Sequence, residues 1–220
     1  MAAKTIVAID GPAGAGKSTI AKLLAQRIGA DYIDTGAMYR AVALKLLRTG
    51  TDYRDPGQLQ AMLDSIDVDF SEGRTLLDGE DVSGLIRTPE ISALASPSSG
   101  VPAIRYKLTA LQQDMGKRKS IVMDGRDIGT VVFPDADFKF FLTASAEERA
   151  RRRTAEMQAK GEEADYETVL ADIIQRDYQD SHRDFRPLKQ AEDAVLIDST
   201  DMDIEAVVDT MMAFVEGRNR

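Results

Sequence analysis

The stretch Gly11–Thr19, GPAGAGKST, decides the fold of this 220-residue chain. It follows the β-branched run Thr5–Asp10, TIVAID, which is typical of a short buried strand. Apolar residues then recur at helical spacing, and Gly29 stands where a helix would end. A strand, a glycine-rich turn of the form G-x-x-x-x-G-K-S/T and a helix together predict a phosphate-binding loop.

The composition of this loop has a chemical reason. Its glycines let successive backbone N–H groups converge on an anion at the positive end of a helix. Lys17 can reach the β- and γ-phosphates, and the Ser18 hydroxyl can ligate Mg²⁺. A glycine-rich turn that matches by chance is the alternative, and the flanking strand and helix disfavour it. The residues predicted to bind a nucleoside triphosphate are Gly11, Pro12, Ala13, Gly14, Ala15, Gly16, Lys17, Ser18 and Thr19.

Further strand signals extend the pattern along the chain. They cover Tyr32–Asp34, Ser120–Asp124, Phe138–Thr143 and Ala194–Asp198, with loops and helical patterns between them. This alternation predicts an α/β fold with a parallel sheet flanked by helices. Residues 66–87 interrupt the alternation, because IDVDF alternates in polarity, SEGR is typical of a turn and TLLDGEDV follows. We interpret this segment as a small antiparallel insert.

The bulk composition narrows the class of protein. The net charge of −9 disfavours a protein that binds nucleic acid backbones, so anions must be met by local Arg and Lys clusters. The chain has no cysteine, which excludes disulfides and thiolate metal sites. Because no signal peptide and no apolar stretch of about 20 residues is recognisable, we expect a cytoplasmic enzyme that does not bind membranes. We also expect it to be a monomer.

The phosphate-binding loop alone does not say what happens to the phosphate. A switch GTPase would carry an N-K-x-D segment, and a transporter-type ATPase would carry an LSGGQ-like signature. Neither occurs in the sequence. These absences favour a kinase for a small acceptor over a molecular switch or a motor.

Four more motifs make the prediction more specific. They are DTGAMYR (34–40), EDVSGLIRT (80–88), DGRDIGTVVFPDA (124–136) and EERARRR (147–153). With the phosphate-binding loop, in this order and over essentially the whole chain, they resemble the bacterial cytidylate kinase family. The resemblance implies a single P-loop kinase domain, residues 1–220, that transfers the γ-phosphate of ATP to CMP and dCMP with Mg²⁺. It also implies a core of 1–60 and 103–220, a helical lid at about 145–165 and a monophosphate-binding insert at about 61–102.

The resemblance also suggests roles for individual residues. The predicted catalytic residues are Lys17, Arg126, Arg149, Arg152 and Arg153. The predicted acceptor-binding residues are Thr35, Tyr39, Arg40, Ser96, Arg105, Arg126, Asp127, Arg176, Asp180 and Arg183. Arg149, Arg152 and Arg153 share a helix face by their spacing, although most such charge runs are only solvated surface. The family places adenine near Asp198–Asp201, mostly through backbone contacts.

The chemistry of the predicted reaction needs no general base, because the phosphate of a nucleoside monophosphate is already an anion. The only histidine, His182, lies in a highly charged segment and is expected at the surface. Asp10, Asp34 and Asp124 each end a predicted strand, and any of them could support magnesium or only cap a loop. Two other functions remain open, a kinase for a different acceptor and a nucleotide-binding regulator.

Overall fold

The computed structural model describes residues 4–71 and 73–217. Its strands are β1 (Ile6–Asp10), β2 (Asp31–Asp34), β3 (Val68–Ser71), β4 (Arg74–Leu77), β5 (Glu80–Asp81), β6 (Ile121–Gly125), β7 (Phe138–Thr143) and β8 (Val195–Asp198). Its helices are α1 (Lys17–Ile28), α2 (Thr35–Thr49), α3 (Pro56–Ser65), α4 (Pro89–Ser98), α5 (Pro102–Arg118), α6 (Ala146–Ala159), α7 (Tyr166–His182) and α8 (Ile204–Gly217). A π-helical turn, Ile128–Val132, lies between β6 and β7.

The chain divides into two compact units, residues 1–30 with 120–220 and residues 31–119. The first unit contains four strands in the order β6-β1-β7-β8, all parallel. Val7, Ile9, Val122 and Phe140 of these strands are buried, as the apolar runs in the sequence predict. Residues 31–60 and 103–119, which the sequence analysis assigns to the core, group with the insert in the second unit.

Helix α1 begins directly after Gly16, whose φ of 81° is left-handed, and it ends at Gly29, also left-handed. Its buried face includes Ile20 and Leu24, in agreement with the predicted helical spacing. Between β6 and β7 the sequence pattern predicts a loop and a helix, but the structure has only the π-helical turn. There the N–H groups of Val132 and Phe133 donate to carbonyls five residues earlier, at 3.2 and 2.7 Å.

The second unit contains a three-stranded antiparallel sheet, β3-β4-β5, in which Val68 pairs with Leu77 and Ser71 with Arg74. The predicted SEGR turn connects β3 to β4, and Glu72 within it lies outside the described residues. Four helices accompany this sheet. The prediction of an α/β fold with a parallel sheet, flanking helices and a small antiparallel insert is therefore confirmed. Among the described residues no helix is both long and apolar enough to cross a membrane.

Candidate active site

Two loops of the first unit meet at one edge of its parallel sheet. The phosphate-binding loop follows β1, and Arg126 and Asp127 follow β6. Strands β1 and β6 are adjacent, and Asp10 lies beside Gly125 in their register. Since parallel strands end at the same edge, the strand ends bring these two predicted groups of site residues together.

The phosphate-binding loop depends on glycine at its first position. Gly11 has a φ of 150°, and a Cβ atom built there would lie 1.9 Å from the carbonyl oxygen of Leu142 on β7. No side chain fits at that distance, so the loop can leave β1 only through a glycine. Close packing against β7 therefore fixes the start of the loop.

Lys17 is buried, and its ammonium group donates to the carbonyl of Pro12 at 2.7 Å. Burial, and after it the positive charge of Arg126, lower the pKa of Lys17 to about 7, although Asp124 and Asp10 act in the opposite direction. A bound phosphate would favour the charged form of the side chain and raise this pKa again. The lysine thus lies within the loop that the sequence predicts to hold phosphates.

The structure distinguishes the aspartates of this edge. Asp10 accepts hydrogen bonds from the N–H groups of Ile128 and Gly129 at 2.8 and 2.7 Å, so it caps the loop that follows Asp127. Burial raises the pKa of Asp10 to about 6 despite these hydrogen bonds. Asp124, in contrast, accepts from the hydroxyl of Ser18 at 3.0 Å. It is therefore the aspartate that shares a polar contact with the predicted metal ligand.

Arg126 extends from the second loop and donates through Nε to Asp180 of α7 at 2.7 Å. Burial acts to raise the pKa of Asp180, but the charge of Arg126 and its hydrogen bond lower it below the ordinary value. Arg183 follows α7, 3.9 Å from Asp180, and donates through Nε to the carbonyl of Arg186 at 2.6 Å. Three of the five residues predicted to bind the acceptor in this unit are therefore connected by polar contacts: Arg126, Asp180 and Arg183. A fourth, Arg176, is exposed and lies one turn before Asp180 on α7.

Asp127 is the fifth residue of this unit that is predicted to bind the acceptor, and it is buried next to the end of β6. Its carbonyl accepts from the N–H groups of Val131 and Val132 in the π-helical turn, at 2.9 and 3.2 Å. This turn therefore holds the backbone of Asp127 directly. π-Helical turns of this kind are frequent at functional sites.

The arginines of α6 have distinct environments. Arg149 is buried and donates to the carbonyls of Ala144 and Ala13, each at 2.9 Å, and to both carboxylate oxygens of Asp177. Arg152 donates to the carbonyl of Ser199 at 2.6 Å, in the loop after β8. Arg153 contacts only Glu156 of its own helix among the hydrogen bonds described for it, and half of its side chain is exposed.

These environments refine the shared face that the spacing predicts. Arg149 points to the phosphate-binding loop, and Arg152 points to the loop where the family resemblance places adenine. Arg151, which the spacing separates from the others, is 71% exposed and pairs with Glu148. The three predicted lid arginines thus reach three different surroundings.

In the second unit, Asp34 caps α2 by accepting from the N–H of Ala37 at 2.9 Å. It also accepts from the guanidinium groups of Arg40 and Arg87, each at 3.3 Å. Thr35 is buried in the first turn of the same helix. The carboxylate of Asp34 therefore binds both the N-terminus of α2 and two guanidinium groups. An anion that binds Arg40 would have to compete with this carboxylate.

Arg105 of α5 is buried and donates to the carbonyl of Ser99 at 3.0 Å. Its guanidinium lies 5.6 Å from the ring centre of Tyr39, so the structure brings two predicted acceptor-binding residues of this unit together. Ser96 is exposed. The two prolines within residues 96–102 are typical of a loop, but the structure differs from this expectation at the start of the segment. Ser96–Ser98 form the last turn of α4, and Pro97 within it has no N–H to donate to the preceding turn.

Asp177 and Arg87 make charged contacts in these sites but had no predicted role. Asp177 precedes Asp180 by three residues on α7, so the two carboxylates share a helix face. That spacing is visible in the sequence, but nothing there shows that arginines lie opposite. Arg87 lies within the quoted motif EDVSGLIRT, and its contact with Asp34 depends on the tertiary structure.

Comparison with known proteins supplies the family. The model of the family described as "Cytidylate kinase" matches residues 7–217. A cytidylate kinase from Geobacter sp. (strain M21) is 52% identical over 217 residues, which cover 97% of this chain and 93% of that protein. A cytidylate kinase from Caldicellulosiruptor saccharolyticus is 50% identical over 213 residues, covering 95% and 94%.

Among solved structures, an uncharacterized protein from Eubacterium ventriosum ATCC 27560 has a similar fold. The TM-score is 0.53 at 16% identity, with 98% of this chain and 99% of that chain covered. This similarity concerns the fold alone. The family match and the relatives agree with the motifs from which the sequence analysis starts, and the chain belongs to the cytidylate kinase family.

Proposed function

We propose that this protein is a phosphotransferase that moves the γ-phosphoryl group of ATP to CMP, and to dCMP, with ADP and CDP or dCDP as products. The observation that carries the proposal is family membership over residues 7–217, with relatives named cytidylate kinase at about half identity over nearly their full lengths. The Lys17 loop and the Arg126 loop at one sheet edge support it, since donor and acceptor phosphates must approach each other.

Catalysis in this proposal consists of positioning and charge stabilisation. The acceptor phosphate is an anionic nucleophile at neutral pH, so no side chain has to remove a proton. In agreement, His182 is exposed at the end of α7 and stacks on Tyr178. Lys17 and Arg126 supply positive charge where the γ-phosphoryl group moves in line between two phosphates. Water exclusion by the lid would suppress hydrolysis of ATP.

Magnesium fits the residues beside the phosphate-binding loop. The Ser18 hydroxyl and the Asp124 carboxylate, 3.0 Å apart, are the hard oxygen donors that Mg²⁺ prefers. Within residues 4–71 and 73–217, no group of three or more His, Cys, Asp or Glu side chains is placed to hold a metal. Mg²⁺ bound mainly through nucleotide phosphates needs only one or two protein oxygens. When bound, it neutralises charge on the phosphates.

Specificity for cytosine is assigned to Asp127. A buried carboxylate can accept from the 4-amino group of cytosine, which uracil lacks. We expect Asp127→Ala to lower the ratio of kcat/KM for CMP over UMP by at least about tenfold, more than it lowers the rate with UMP. Asp135→Ala, at an exposed position of the same connection, is the control. A uniform loss of rate with both acceptors would make Asp127 a structural residue.

One assay tests the proposed activity, coupled detection of ADP formation with CMP, dCMP, UMP, AMP or no acceptor. We expect turnover with CMP and dCMP that exceeds turnover with the others. ADP formation without an acceptor would contradict the kinase function, and a preference for another acceptor would favour the alternative kinase. Absence of turnover together with tight nucleotide binding would favour a nucleotide-binding regulator.

The remaining expectations belong to the same proposal. We expect a cytoplasmic monomer built as one kinase domain, with residues of about 145–165 closing as a lid. In the first unit Arg126, Asp127, Arg176, Asp180 and Arg183 are assigned to the acceptor. In the second unit the same assignment covers Thr35, Tyr39, Arg40, Ser96 and Arg105. Support comes from the family resemblance and, for Arg105 with Tyr39, from their contact.

A further inference from the structure

The ion pair of the buried Arg149 with the half-buried Asp177 joins three segments of the first unit. Arg149 lies near the start of α6, Asp177 lies in α7, and Ala13 belongs to the phosphate-binding loop. The two Nη atoms of Arg149 donate to the two oxygens of Asp177 at 3.0 and 2.6 Å. The same side chain donates to the carbonyls of Ala144 and Ala13. We refer to Arg149, Asp177 and the Ala13 carbonyl as the loop latch.

The latch and the Ala144 carbonyl together use most of the hydrogen-bonding capacity of Arg149. A guanidinium has five N–H groups, and these four hydrogen bonds occupy four of them. Arg149 is only 4% exposed, so the carboxylate of Asp177 also compensates a buried charge. Bidentate binding of a phosphate by Arg149 would therefore require that several charge-assisted contacts be broken first.

The contact with Ala13 has a direct consequence for the phosphate-binding loop. In a trans peptide the C=O and the next N–H point in opposite directions. Since Arg149 holds the Ala13 carbonyl, the N–H of Gly14 is directed away from Arg149. The loop backbone also packs on this side chain, because a Cβ atom at Gly14 would lie 3.5 Å from Cβ of Arg149 and 3.9 Å from Ile173. Arg149 therefore fixes the orientation of one amide in a loop whose amides bind phosphates.

We infer that Asp177 is a positioning residue for the triphosphate. It holds Arg149 against the Ala13 carbonyl, and Arg149 in turn orients the Ala13–Gly14 peptide, whereas neither side chain needs to contact a phosphate. This inference rests on the proposed function only in that the loop binds a triphosphate; it does not depend on which acceptor is used. It assigns Arg149 a role different from the phosphate contact that the family resemblance suggests.

The test compares donor and acceptor affinity in the full chain. The variants are Asp177→Asn, which keeps the shape but removes the charge, and Arg149→Lys, whose single ammonium group cannot serve all the acceptors. Binding of the Mg²⁺ complex of the β,γ-imido analogue of ATP and, separately, of CMP is measured by calorimetry. We expect about tenfold weaker analogue binding in both variants, and CMP binding within about twofold of the unmodified protein. Asp172→Asn, exposed on the same helix, is the matched control.

Two further variants separate positioning from simple loss of structure. Asp177→Glu retains the carboxylate and is expected to restore part of the analogue affinity. The double variant Arg149→Lys/Asp177→Asn is expected to bind the analogue no more weakly than the weaker single variant, because both changes break one latch. Thermal unfolding of each variant shows whether it is folded at the temperature of the titration.

The remaining outcomes would overturn the inference. Unchanged or tighter analogue binding in Asp177→Asn would mean that Asp177 only competes with phosphate for Arg149. Equal weakening for the analogue and CMP would mean that the pair only stabilises the fold. Failure of the unmodified protein to phosphorylate CMP would contradict the proposed function, but the analogue titration would still decide on the latch.

Discussion

Lys17 holds the central position in the phosphate-binding loop, where its ammonium group contacts the Pro12 carbonyl. We expect Lys17→Ala to lower kcat with ATP and CMP by at least about 10³-fold, because the ammonium charge that stabilises the negatively charged phosphoryl group during transfer is lost. Circular dichroism should be unchanged. Lys22→Ala, exposed on the same helix, should keep nearly full activity. A Lys17→Ala variant that retains most of its activity would remove Lys17 from the mechanism.

Asp10 should make the stability of the protein depend on pH. Burial raises its pKa from 3.8 to about 6, so the folded protein keeps a proton that the unfolded chain releases. The stabilisation is fully present below about pH 4 and is lost as the pH rises through about 6. Relative to the unmodified protein, Asp10→Asn should therefore gain about 2 kcal/mol of unfolding free energy between pH 4 and pH 7.

Urea denaturation of both proteins at several pH values measures this difference. The Asn side chain can accept only with its carbonyl oxygen, so the variant starts from a lower stability at pH 4. The quantity that matters is the change of the difference with pH. Parallel stability curves for the two proteins would show that Asp10 does not titrate in this range.

Single residues also show where sequence reasoning ends. The roles of Gly11 and Lys17 follow from the motif, because the chemistry of a phosphate-binding loop fixes both residue type and spacing. The spacing of Arg149 and Arg152 predicts a shared face, but their partners are a loop carbonyl 136 residues away and Ser199. Such partners depend on how α6 packs, which no local pattern reports. For the same reason Asp10, Asp34 and Asp124 became distinguishable only through their hydrogen bonds.

At the scale of elements, Arg152 connects α6 to the loop after β8. Its Nη2 atom donates to the carbonyls of Ser199 and Thr200 at 2.6 and 3.5 Å, and Nε donates to Glu148 at 2.8 Å. Because the family resemblance places adenine near this loop, Arg152→Ala should raise KM for ATP about tenfold while KM for CMP changes little. Steady-state kinetics with each substrate varied in turn measures both constants.

The neighbouring Arg151 supplies the control for this prediction. It is 71% exposed and pairs only within its own helix among the contacts described for it, so Arg151→Ala should leave both KM values unchanged. If the two variants behaved alike, the effect would reflect the net charge of α6 and the contact with the β8 loop would be irrelevant to ATP binding.

Elements differed in how well the sequence predicted them. The strands β1, β6, β7 and β8 could be predicted because each is a short continuous run of apolar residues rich in β-branched or aromatic side chains. The π-helical turn was missed, since an i to i+5 hydrogen bond has no sequence period of its own. The last turn of α4 was missed because two prolines close together are typical of a loop.

At the scale of the whole molecule, the net charge of −9 bears on association. Like-charged copies repel each other at low ionic strength, which agrees with the expectation of a monomer. Light scattering after size-exclusion chromatography should give a mass of 24.1 kDa at both low and high salt. A mass that doubles with protein concentration would contradict this prediction.

The division of the chain was the least predictable property at this scale. The family resemblance implies an insert at about residues 61–102, whereas the compact unit of the structure spans residues 31–119. Helices α2 and α5 each carry an apolar face that packs within this unit, where Met38 and Ile104 are buried. An apolar face in a sequence shows that a helix is covered, but it does not show by which neighbours.

The capping of Ile128 and Gly129 by Asp10 has a consequence for protein engineering. The residue that leads into the donor loop also anchors the loop that carries Arg126 and Asp127. A graft of residues 126–134 from a kinase with another acceptor must present two amides to Asp10 at the same distance. An insertion of one residue before Gly129 would move these amides away from Asp10, so the hydrogen bonds that connect the two loops would be lost. Acceptor preference should therefore be easier to redesign by side-chain replacement at position 127 than by exchange of the loop.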